Sequence, residues 1–107
     1  MIYELRVYET APGRMPALHS RFADHSISLF KKHGFGVVGF WTEEGGAGDK
    51  LYYILSFKDV ADREKKWKVF RDDPEWQRVK ADSEKDGTIV AHGASTILAP
   101  TPYSPMK

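Results

Sequence analysis

No cysteine occurs in the 107 residues, which removes disulfides, thiolate metal ligands and cysteine nucleophiles together. Neither sign of charge is in excess: 16 Lys and Arg against 15 Asp and Glu leave +1. A protein that gripped nucleic acid or an anionic membrane electrostatically would carry a basic surplus, so neither is expected as a partner. No apolar run approaches the roughly 20 residues needed to span a bilayer. The opening Met1-Ile2-Tyr3-Glu4-Leu5-Arg6 has neither the pattern of a signal peptide nor the Arg-rich bias of a transit peptide, so a cytoplasmic location is expected. There is no repeat of solenoid length and no Gly-x-Ser-x-Gly elbow. No His-Glu-x-x-His pair or carboxylate set completes a zinc site, so no metal and no other cofactor is expected.

What is present has the balance of an ordinary folded domain. Apolar residues make up 41% and charged residues 29% of a chain of single-domain length. Residues 2–9 alternate as a strand, with Tyr3, Leu5 and Val7 on one face and Ile2, Glu4, Arg6 and Tyr8 on the other. A helix is predicted over 13–33, its stripe formed by Met15, Leu18, Phe22 and Leu29, with Gly34 to end it. Residues 35–43 and 51–57 read as strands joined by a turn containing Gly45, Gly46 and Gly48. A phosphate cradle needs its glycine loop to open into a helix, and here strands lie on both sides. Asp59 and Asp73 cap helices over 60–71 and 74–86, and Pro74 begins the second. A last strand is predicted over 88–98. The tail 99–107 holds Pro100, Pro102 and Pro105, which cannot continue a ladder, so the domain is expected over 1–98 with a Pro-rich arm. This order is βαββαβ, the ferredoxin-like α+β arrangement: a four-stranded antiparallel sheet with its helices on one face.

The second face of that sheet poses a problem. Leu51-Tyr52-Tyr53-Ile54-Leu55-Ser56-Phe57 is apolar or aromatic on both sides of the pleat, whereas an antiparallel strand with one wet face should alternate. Left open, such a face exceeds the patch a monomer usually tolerates. The economical cover is a second copy related by a two-fold axis. Glu4 and Arg6 are assigned to this barrel-facing side.

Three segments together resemble the NIPSNAP family of the dimeric α/β-barrel superfamily. They are the opening IYELRVYETAPG, the stretch Gly36-Val37-Val38-Gly39-Phe40-Trp41 with its hairpin, and Asp62-Arg63-Glu64 with Trp67, Phe70 and Asp73-Pro74-Glu75-Trp76. The resemblance implies a homodimer whose sheets form a barrel, with ligands between the helices and the sheet of each subunit. Related barrel families include cofactor-free monooxygenases, isomerases and haem enzymes, an analogy of fold alone.

Arg63 is the leading candidate for chemistry. It shares a helical stripe with Val60, Trp67 and Phe70, which puts a guanidinium on an apolar face. Four residues from Trp67, it is within reach of a cation–π contact, and it either orients an anionic ligand or is locked to an acidic residue such as Asp73 or Glu4. His25 falls near the stripe of Leu18, Phe22 and Leu29 and could handle a proton or simply bond to backbone. Trp41, Tyr53 and Trp67 are expected as pocket walls or core anchors. His92, flanked by Ala91 and Gly93, has room to line a cavity. His19 and His33 read as exposed. The function expected is binding of a small, partly apolar or acidic molecule. The alternatives are a cofactor-free monooxygenase or isomerase-like enzyme, and a non-catalytic dimeric scaffold or ligand sensor.

Overall fold

The computed structural model describes residues 1–107. Strand β1 (Ile2–Thr10) leads into α1 (Met15–Arg21), a π-helical turn (Phe22–Ser26) and α2 (Ile27–Lys32), one rod with a widened turn in its middle. Strands β2 (Gly36–Thr42) and β3 (Lys50–Phe57) follow, then α3 (Val60–Asp72), α4 (Pro74–Ser83) and β4 (Val90–Leu98). The sheet order is β2-β3-β1-β4 with every neighbour antiparallel, the expected ferredoxin-like topology.

Local chemistry explains the joints. The Asp59 carboxylate accepts from the Asp62 backbone N–H, and the Asp73 carboxylate accepts from that of Glu75, each satisfying an orphan donor of a helix start. Asp73 also accepts from Lys32 and meets His33 at 2.7 Å, tying the end of α2 to the start of α4. Hydrogen bonds from Lys32, His33 and the Glu75 amide hold its pKa well below the usual carboxylate range. His33 is thus a tied, largely covered residue, not the exposed one expected from its place at a helix end.

The pleat sorts β3 cleanly. Leu51, Tyr53, Leu55 and Phe57 are buried, and the alternate residues are half-buried. The buried set joins Leu18, Phe22, Leu29, Phe30, Phe35, Trp67 and Phe70 in a core rich in aromatic rings. Register then corrects the assignment of β1. Glu4 pairs with Leu55 and Arg6 with Tyr53, so both charges point into the helix layer and not towards the open face. That open face carries Tyr3, Leu5, Val7, Trp41, Tyr52, Ile54 and Leu98. At the other edge β4 pairs only with β1, and residues 91–98 are all exposed. The tail beyond Leu98 borders the open face, sharing a cleft with Tyr3 and Ile54. No helix is long and apolar enough to cross a membrane.

Candidate functional site

At the bottom of the helix–sheet interface lies a carboxylate. Glu4 is fully buried and accepts from Arg6 Nη1 at 2.7 Å, Arg63 Nε at 3.0 Å, Arg63 Nη2 at 2.9 Å, Trp67 Nε1 at 2.8 Å and Ser95 Oγ. Burial alone would raise its pKa, but the donors outweigh it and hold the group at about 2. The third Arg63 nitrogen bonds Glu64 at 2.6 Å. Arg63 is therefore locked to acidic partners, Glu4 among them, and its charge is spent inside the protein. The cation over Trp67 is instead Arg6, with its Cζ 4.5 Å from the ring centroid.

Above this network the sheet and helices enclose a cavity of about 230 Å³. Its apolar walls include Phe22, Phe30, Trp67, Phe70 and Trp76, and Tyr8 and Tyr53 lie on the sheet side. Five cationic side chains line it (Arg6, Arg21, Arg63, Arg71 and Lys80) with no carboxylate or imidazole among the lining residues. Arg6 and Arg63 are matched by Glu4. Arg71 and Lys80 are exposed and make no ion pair.

Arg21 is the unusual member. It is 7% exposed, its Nε has no partner, and its nearest contacts are Ser83 Oγ at 3.4 Å and Glu84 at 4.0 Å. Burial pushes its pKa down, only partly offset by Glu84. The chain still keeps a guanidinium there, lying 5.5 Å from the centroid of the Trp76 ring. Ser26, 2% exposed, also lines the cavity with an unpartnered Oγ. A buried polar atom without a partner costs roughly 1–3 kcal/mol. Both residues belong to the lining of the same cavity.

Ser26 stands four residues after Phe22 and so shares its helix face. The Ile27 N–H bonds back to Phe22 C=O, five residues away, and the widened turn swings His25 outward. His25 is exposed and lies in a separate groove with Arg14, Asp24 and Arg78. Trp41 is 50% exposed on the open face, opposite Tyr52 rather than beside Tyr53. His92 pairs with Glu9 on that same side, away from the cavity. Of the sequence candidates, Tyr53, Arg63 and Trp67 come together; His25, Trp41 and His92 do not. Arg21, Ser26, Tyr8 and Phe30 are additions. Arg21 could have been found, since it stands three residues after Leu18 on the apolar stripe.

The comparisons with known proteins converge. The NIPSNAP family model matches residues 3–105. No curated protein sequence matches the chain. A NIPSNAP family protein of unknown function from Agrobacterium tumefaciens (Atu4242) superposes with a TM-score of 0.86 at 26% identity, covering 100% of this chain and 94% of that one. An uncharacterized NIPSNAP domain protein from Burkholderia xenovorans gives 0.84 at 21% identity over 98% and 99% of the two chains. SnoaB, a cofactor-independent oxygenase from Streptomyces nogalater, gives 0.67 at 11% identity over 97% and 96%, a likeness of fold alone.

Proposed function

The chain belongs to the NIPSNAP family, and from that premise we propose that it binds a small anionic molecule with an apolar, single-ring body between helices and sheet. The observation that carries this reading is the pair of buried, unpartnered polar groups, Arg21 Nε and Ser26 Oγ, on a cavity lined by cations and aromatic rings. A dry cavity of roughly 150 Å³ accepts benzene, so the 230 Å³ here holds a ring bearing a carboxylate. Arg21 takes the carboxylate, Ser26 adds a donor, and Phe22, Phe30 and Trp76 hold the ring. Arg71 and Lys80 at the mouth draw the anion in. The lining offers no carboxylate or imidazole to take a proton from carbon, which sets binding ahead of isomerisation. The cytoplasm is the compartment we assign to this activity.

Benzoate is the probe. In calorimetry or a thermal-shift titration it stabilises the wild-type chain, by about 2.7 kcal/mol at 100 times its Kd. Arg21→Met keeps the stem on Trp76 and removes the charge; affinity falls roughly tenfold to a hundredfold, the worth of a hydrogen-bonded charge. Unchanged affinity in that variant rejects the assignment.

We propose further that two copies pack through their open sheet faces. The support is the apolar run Leu5, Val7, Trp41, Tyr52 and Ile54 on a face no helix covers, and an antiparallel sheet suits two-fold self-pairing. Light scattering then gives twice the 12.2 kDa chain mass, and Ile54→Lys returns the single-chain value. A wild-type chain of single mass at micromolar concentration refutes this.

A further inference from the structure

Hydrogen-bond accounting on the sheet side of the cavity leaves one proton unspent. Tyr53 Oη accepts from Arg6 Nε at 2.8 Å and donates to Tyr8 Oη at 2.8 Å. Tyr8 Oη also accepts from Arg6 Nη2 at 3.1 Å. A phenol oxygen has two acceptor positions and one proton. Both acceptor positions of Tyr8 are filled, so its O–H points away from Arg6 and Tyr53, and no protein atom accepts it. Both phenols border the cavity, but Tyr53 is fully buried, whereas Tyr8 is half-buried beside Phe22, 6.2 Å from ring to ring.

Resting on the reading of this cavity as an anion site, we infer that Tyr8 donates to a second oxygen of the ligand. The preferred class is then an aromatic acid that also carries a ketone or hydroxyl oxygen, rather than a simple carboxylate. The two polar ends come from opposite walls: Arg21 and Ser26 from the helix rod, Tyr8 from the sheet. The support behind Tyr8 is rigid. Glu4 fixes the Arg6 guanidinium, and the guanidinium fixes both phenols. A cation 5.5 Å from the Tyr8 ring centroid makes that O–H a stronger donor. Burial and the neighbouring Tyr8 push the Tyr53 pKa well up, so Tyr53 keeps its proton.

The test compares benzoate with benzoylformate and 3-hydroxybenzoate, which add a ketone and a phenol oxygen. Titration is followed by calorimetry or by the fluorescence of Trp67 and Trp76. The wild-type chain binds at least one of the two substituted acids about tenfold more tightly than benzoate, the worth of one good hydrogen bond. Tyr8→Phe abolishes that preference and leaves benzoate within about twofold, whereas Arg21→Met weakens all three. The preference of the wild-type chain is read without any substitution, so a Tyr8→Phe chain that fails to fold does not leave the matter open. Benzoate binding with no preference, or a preference that survives Tyr8→Phe, overturns the role of Tyr8 and spares the anion site. Binding of none of the three overturns both.

Discussion

Replacing Glu4 by glutamine destabilises the fold by about 3–5 kcal/mol, the cost of leaving buried charges without their counter-ion. The carboxylate oxygens accept from two arginines, an indole and a serine. An amide keeps one oxygen and turns a donor group towards guanidinium donors. Urea midpoints at neutral pH read the loss directly, and a midpoint shift corresponding to under 1 kcal/mol contradicts it. Acid gives a second check. The folded pKa of about 2 lies below the ordinary 4.5, so this stabilisation is whole above about 4.5 and is lost as pH falls through 2. It amounts to about 3 kcal/mol. The wild-type chain therefore weakens on acidification over that window, and Glu4→Gln is flatter there.

Truncating Phe30 to alanine costs a similar amount, about 3–5 kcal/mol. The ring is 2% exposed and meets Phe22, Phe35, Tyr53, Trp67 and Phe70 with centroids 5.1 to 6.3 Å away. Removing it withdraws the centre of the aromatic cluster and opens the cavity it walls. Chemical denaturation measures the loss, and Phe30→Leu should recover more than half of it. A cost near that of a surface substitution, within about 0.5 kcal/mol, shows that the cluster can re-close.

The contrast between Phe30 and the expected stripe shows what the sequence could and could not disclose. Strand alternation, Asp–Pro capping and the glycine hairpin are local signals, and all of them led to the observed topology. The stripe of Leu18, Phe22 and Leu29 assumed an unbroken α-helix. In such a helix Phe30 lies about 80° from Phe22 at 100° per residue, and His25 lies nearer the stripe. The π turn alters the phase by about one residue, brings Phe30 beneath Phe22, and rotates His25 to solvent. Nothing in the residues Phe22-Ala23-Asp24-His25-Ser26 announces that turn; tertiary packing selects it. Glu4 was misplaced for another reason. Alternation groups it with Arg6 and Tyr8 on one face of β1 but does not say which face the helices cover, and only register against Leu55 shows that it points at them. Arg63 was found from its stripe, and Glu4, one of the two acidic partners considered for it, is one that it meets.

The site's cations belong to a molecule whose formal charge is only +1. At physiological ionic strength screening acts over about 8 Å, so the pull of Arg71 and Lys80 on the anion we propose is confined to the last few ångströms before the mouth. Added salt then slows the encounter only weakly, while residence time is set by contacts too deep for the ionic atmosphere to reach.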